Sequence, residues 1–195
     1  MKKIVSVSGI FILAVVLCFG IIWRKDNNIS DDTILASVGD FQITQSDIAL
    51  IQRCDAVVVS FQENSHKPIT TKEALESLIS QQVKKQMIQN EGICLPEQEQ
   101  EQIRETILWS FDETEKILQS GSEQEKEMAE RSMDVIQAFI EAYGVSMDEY
   151  KELCIDNIIF SVEVSRLAER NFNGDKEALE SYIRKHYKDY KVVIS

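Results

Sequence analysis

Only two prolines, Pro68 and Pro96, occur in this chain of 195 residues, and none follows Pro96. The seven glycines are equally sparse. Proline removes a backbone donor and glycine frees φ, so their scarcity leaves few points at which an element can be stopped. An all-β sandwich or barrel needs a turn about every ten residues, which this chain cannot supply. The expectation is a mainly α fold of long helices joined by short breaks. At roughly 100–200 residues per domain it is one globular unit with a short accessory segment.

That segment is N-terminal. Ile4 to Trp23 is a 20-residue run whose only non-hydrophobic members are Ser6, Ser8, Gly9 and Gly20. As a helix it spans about 30 Å, the thickness of a bilayer core. Lys2-Lys3 precede it, Arg24-Lys25 follow it, and Trp23 sits where an interfacial aromatic would. The apolar core of a cleaved signal is shorter, about 7–15 residues, and ends at a small-residue site. Here the best small pair, Cys18 and Gly20, would leave Ile21-Ile22-Trp23 on the mature end, and Leu17 stands where a lipidation motif wants a small residue. We read residues 1–25 as an uncleaved single-pass transmembrane anchor in the cell membrane, with the remainder extracytoplasmic.

The formal charge of −12 divides along the same line. The first 25 residues carry +4 and no acid, so the remaining 170 hold 17 basic against 33 acidic side chains. A body at −16 is repelled by phosphate backbones and by anionic lipid, which argues against nucleic-acid binding and surface adsorption.

Residues 26–33 form a polar linker, and 34–195 form the helical domain. Ile34–Val38 and Phe41–Ile43 flank Gly39-Asp40 as a tight hairpin. Thr44 with Asp47, Thr70 with Glu73 and Ser146 with Glu149 have the spacing of capping boxes. The first helix runs to about Ser60, with Ile48, Ile51, Cys54, Val58 and Phe61 on one face. The second carries Leu75, Leu78, Ile79, Val83 and Met87, and Gly92 terminates it. Pro96 and an acidic first turn open the third, with Ile103, Ile107, Leu108, Phe111 and Leu118. After Ser120-Gly121-Ser122 the fourth carries Met133, Ile136, Phe139, Ile140 and Tyr143 and ends at Gly144. The fifth runs from Met147 to about Asn171, and the sixth carries Leu179, Tyr182, Ile183 and Tyr187. Val192–Ile194 is a terminal strand, the natural third partner for a hairpin that is marginal by itself.

No metal-ligand spacing, nucleophile elbow, phosphate loop or catalytic triad is apparent, so neither a cofactor nor a metal is expected. His66 and His186 read as surface histidines. Cys54, Cys94 and Cys154 read as small buried hydrophobes, with a Cys54–Cys94 disulfide as the alternative. The acidic runs Glu97–Glu105 and Glu123–Glu130 read as solvated helix faces. The third and fourth helices hold more aromatic surface than one core stripe needs. Leu108, Trp109, Phe111, Phe139 and Tyr143 are therefore candidates for an exposed peptide-binding groove as well as for core.

Val38-Gly39-Asp40-Phe41-Gln42-Ile43-Thr44-Gln45-Ser46-Asp47 resembles the opening of SurA-type and PrsA-type chaperone domains, where a hairpin leads through Ile-Thr into the first helix. Leu75-Glu76-Ser77-Leu78-Ile79 to Val83, Asn90-Glu91-Gly92-Ile93, and Pro96, Glu97 and Glu99 resemble the family's second helix, its Gly-Ile ending and the acidic start that follows. Tyr187-Lys188-Asp189-Tyr190-Lys191-Val192-Val193-Ile194 resembles its closing helix running into a strand. Residues 100–170 carry only the helical pattern. Two departures stand out. The chain leaves no room for the parvulin-type prolyl isomerase domain that members often carry, and Lys84-Lys85 fall where the family is more apolar. The resemblance implies a SurA-N-like fold without enzymatic activity: a membrane-anchored, ATP-independent chaperone-like domain that binds unfolded or secreted polypeptides. The alternative from a different class is a structural or adaptor domain that binds a folded partner in a membrane complex.

Overall fold

A computed structural model describes residues 33–61 and 67–195. The expected transmembrane anchor, most of the expected linker and His66 lie outside the described residues. Among the described residues no helix is long and apolar enough to cross a membrane.

Gly39 adopts φ +58°, the left-handed conformation that a two-residue hairpin needs, and joins β1 (Ile34–Val38) to β2 (Phe41–Thr44). The antiparallel register pairs Val38 with Phe41 and Ala36 with Ile43, with an irregularity between Ile34 and Ala36. The terminal strand β3 (Val192–Ile194) completes the sheet by pairing with β1, so the order is β2-β1-β3. Ala36, Val38 and Ile43 are fully buried on the inner face.

Six helices follow the hairpin among the described residues: α1 (Gln45–Phe61), α2 (Thr71–Asn90), α3 (Glu97–Ser120), α4 (Glu123–Tyr143), α5 (Met147–Phe172) and α6 (Lys176–Lys185). The fold is thus mainly helical with a small three-stranded sheet, as expected. Thr44 and Asp47 do form a reciprocal cap, the Thr44 N–H donating to Asp47 Oδ2 at 2.8 Å in a buried setting. Thr70/Glu73 and Ser146/Glu149 form full capping boxes, and so does Ser122/Glu125 at the start of α4. Gly144 ends α4 with φ +69° and donates to the Ile140 carbonyl.

The apolar residues gather in two clusters. The first joins the sheet, Ile48 of α1, most of α2, Leu167 and Ala168 of α5, and Leu179 and Ile183 of α6. The second joins Cys54 and Val58 of α1 with residues of α3, α4 and the first half of α5, centred on Phe139 and Tyr150. Helices α1 and α5 run through both, and Leu50 packs against each.

Helix α2 departs from the expected one-sided stripe. Leu78, Ile79, Ser80, Gln81, Gln82 and Val83 are all buried, so the helix is enclosed around its circumference. Three of its polar side chains, Ser80, Lys84 and Gln86, are met by neighbouring elements. Glu180 of α6 accepts from Ser80 Oγ at 2.7 Å and pairs with Lys84. Gln86 Nε2 donates to the Val38 carbonyl at 3.2 Å, so close to the hairpin that a side chain at Gly39 would collide with it.

These pairs give the fold an acid limit. The Thr70 backbone and hydroxyl hold Glu73 below its ordinary 4.5, and the Ser122 and Ser146 caps do the same for Glu125 and Glu149. Burial pushes the Glu180 carboxyl up, but hydrogen bonds from Lys84 and Ser80 outweigh it and leave it lowered. A carboxyl lowered by folding contributes stability above its unfolded value that is lost as pH falls through its folded value. Urea midpoints followed by circular dichroism should therefore fall below pH ~4.5. A Thr70→Ala/Ser122→Ala/Ser146→Ala variant should start less stable and lose less on acidification. Equal acid sensitivity in both proteins would contradict this assignment.

Candidate functional site

The five aromatic and apolar candidates on α3 and α4 do not form one surface. Ile107 and Phe111, four residues apart on α3, face inward, and Phe111 is buried. On α4, Phe139 is 1 % exposed. It stacks on Tyr150 at 6.5 Å with an interplanar angle of 15°, while Phe111 meets Tyr150 edge-on at 89°. Such offset and T-shaped pairs suit ring quadrupoles and add to the burial term. Tyr143 is half-buried beside the same rings, and Leu108 is half-buried on the edge of the cluster. Trp109 alone stands clear, at 44 % exposure. It lies about 200° round the helix from Ile107 and about 160° from Phe111, opposite the core stripe. Phe111 and Phe139 thus belong to the core packing of α1, α3, α4 and α5, one of the two roles the sequence left open for them.

A stretch of partly covered apolar side chains lies on α5. Every residue from Ile158 to Arg166 is half-buried, so the middle of this 26-residue helix is neither core nor free surface. Ile158 and Ile159 lean on the second cluster, while Phe160 and Val164 lean on the first. Val162 belongs to neither cluster's packing. Ion pairs bracket the stretch. Arg104 of α3 holds Glu152 through two hydrogen bonds of 2.6 and 2.8 Å, and Arg166 reaches Glu99 at 2.5 Å. Glu163 accepts from the Leu95 N–H at 3.4 Å; burial raises its carboxyl, with that bond and Arg166 opposing.

Helix α2 flanks this spine with Lys85, whose Nζ lies 5.9 Å above the Phe160 ring. Burial lowers the Lys85 ammonium to about 8, against the pull of Asp156. Asn157 is 5 % exposed, and its Oδ1 has no hydrogen-bond partner in the protein. The lysine pair thus divides its roles, Lys84 toward α6 and Lys85 toward α5. Alternating polarity on α2 could not distinguish them, because their partners lie about 75–95 residues away in sequence.

Among the described residues no group of histidine, cysteine or carboxylate side chains could hold a metal. His186 stacks on Tyr182 at 3.9 Å and its Nδ1 lies 2.7 Å from the Tyr182 carbonyl, a structural contact at the end of α6. The three described cysteines are free thiols, not a Cys54–Cys94 disulfide. Cys94 also departs from the buried role expected of it. The extended segment after Gly92 alternates sides, so Leu95 turns inward at 2 % exposure and Cys94 outward. Burial pushes the Cys54 thiol up to about 11 and the Cys154 thiol to about 12. A water-soluble maleimide should therefore modify Cys94 rapidly at neutral pH, and Cys54 and Cys154 only after denaturation. Peptide mass mapping checks this; fast labelling of Cys154 in the native protein would mean that the second cluster opens.

Comparison with family models, with curated proteins and with solved structures yields no match for this chain.

Proposed function

We propose that this chain is a membrane-tethered, extracytoplasmic polypeptide-binding domain of the SurA type, chaperone-like and without enzymatic activity. Its N-terminal anchor would hold it at the cell membrane, and unfolded or secreted chains would be its clients. The observation that carries the reading is the half-covered apolar spine of α5 between the two clusters. Ile158, Ile159, Phe160, Val162 and Val164 are each left partly uncovered along this helix, and the ion pairs Arg104–Glu152 and Arg166–Glu99 lie toward its two ends. Shallow apolar contact flanked by charge binds extended chains weakly and repeatedly, and the charge keeps the loaded complex soluble. The sheet order β2-β1-β3, with the terminal strand on the hairpin, supports the SurA-N-like comparison.

The full-length chain in nanodiscs should suppress aggregation of a chemically denatured client at several-fold excess without ATP. Val162→Asp should remove that suppression while leaving the helical circular dichroism signal intact. Full suppression by the variant would take the spine out of the mechanism. Absence of suppression by the wild type would end the client-holding reading.

The closed packing of Phe111, Phe139 and Tyr150 favours a second reading, an adaptor for one folded partner of a membrane complex. A single saturable partner in crosslinked membranes, with no affinity for denatured chains, would establish it in place of the first.

A further inference from the structure

Among the described residues Trp109 belongs to neither apolar cluster, and it is 44 % exposed. The core stripe of α3 is complete without it, and its indole faces solvent on the opposite side of the helix. Burying an indole removes a large apolar area from water, and tryptophan is among the residues most enriched at binding hot spots. Its surroundings narrow the partner. Glu105 lies one turn before it, and Asp112 and Glu113 lie one turn after, at i−4, i+3 and i+4, the spacings that put side chains on one helix face. Glu113 also contacts Lys116 at 3.4 Å. From Glu97 to Tyr143, helices α3 and α4 carry thirteen carboxylates against four basic side chains. An aromatic face is itself negative at its centre, and tryptophan is the best cation–π acceptor among the side chains.

We propose that this outward face of α3 docks a basic, lysine- and arginine-rich polypeptide segment. One cationic side chain lies over the Trp109 indole, and its neighbours face Glu105 and Asp112. The inference rests on the polypeptide-binding reading and names the class of chain that binds there, through a surface separate from the α5 spine. Acidic chains and anionic lipid are disfavoured by the same carboxylates. Opposite-charge steering also makes association fast and strongly salt-dependent.

The test uses the full-length chain in zwitterionic nanodiscs with Trp23→Phe, which leaves Trp109 as the only tryptophan. The probes are three labelled peptides of equal length and apolar content: one rich in lysine and arginine, one uncharged and one rich in glutamate. The basic peptide should bind and change Trp109 emission, with affinity falling as salt rises. Trp109→Ala should weaken it about tenfold and Trp109→Phe should weaken it less. Glu105→Gln/Asp112→Asn should flatten the salt dependence. Equal binding of the basic peptide to wild type and Trp109→Ala overturns the proposal, as does equal affinity for all three peptides. So does a Trp109→Ala effect confined to sedimentation, which would assign the face to a second copy of the chain. Failure of the wider reading looks different: Trp109-dependent peptide binding without suppression of client aggregation removes the holding function and keeps this surface. Client holding that survives Trp109→Ala while peptide binding never appears removes this surface alone.

Discussion

Phe139→Ala is expected to lower the unfolding free energy by about 3–5 kcal/mol, a large part of what a domain of this size possesses. The side chain is buried to 1 % exposure and lies against Tyr150 and Tyr143. Its removal forfeits the transfer term and leaves a cavity that neighbouring rings, fixed on α3 and α5, cannot collapse into. Urea denaturation followed by far-ultraviolet circular dichroism measures the loss, which should appear as a lower midpoint with an unchanged slope. Trp109→Ala is the matched control and should stay within about 0.5 kcal/mol of wild type. Near-equal effects of the two substitutions would mean that the α3–α4 aromatics are not divided between core and surface as described.

Lys85→Met is expected to act in the opposite direction, stabilising the domain by about 1–3 kcal/mol at pH 7. Burial lowers the Lys85 ammonium from 10.5 to about 8. Below pH 8 the folded protein therefore carries a charge that its surroundings disfavour. For a base lowered by folding, the unfolded chain binds more protons between the two values, so stability rises with pH across that window. Methionine keeps the apolar stem against Phe160 and deletes the charge, at the cost of the attraction to Asp156. The advantage of the variant should shrink between pH 8 and 10.5. Tyr190 complicates the absolute curves, because burial and its neighbours raise it to about 12, and that contribution is lost as pH climbs past 10. The difference between wild type and variant at each pH is the proper readout. A variant less stable than wild type at pH 7 would show that the ion attraction outweighs burial.

How much of this could be read from sequence depended on the range of the interaction involved. Gly39, Gly92 and Gly144 mark left-handed positions, and Thr70/Glu73 and Ser146/Glu149 mark helix starts. Each signal is complete within about four residues, so element boundaries were legible. The stripe on α2 was only half legible. A helix enclosed on all sides shows no strong amphipathic period, and Ser80, Gln81 and Gln82 look solvent-facing until α5 and α6 are placed around them. The aromatic candidates show the same limit. Phe111 and Trp109 are two residues apart and equally apolar, and only the direction of the core separates them. The α5 spine carried no signal of its own, because a stretch such as Ile158-Ile159-Phe160 reads as core whichever neighbour fails to cover it. Capping was under-read in one place, since Ser122 and Glu125 have the same spacing as the other boxes but lie beside a glycine that suggests a loose linker.

The pairing of β1 with β3 has a consequence in time. Val38 stands opposite Val192 of the last strand, so the middle strand of the sheet must wait for more than 150 residues to be delivered before its second edge is occupied. The second cluster draws on no residue after Ile159 and can consolidate while the rest of the chain is still arriving. The hairpin meanwhile presents an open edge, and such edges invite pairing with the wrong chain. Slow delivery of Val192–Ile194 would therefore lengthen the interval in which β1 is open to pairing with another chain.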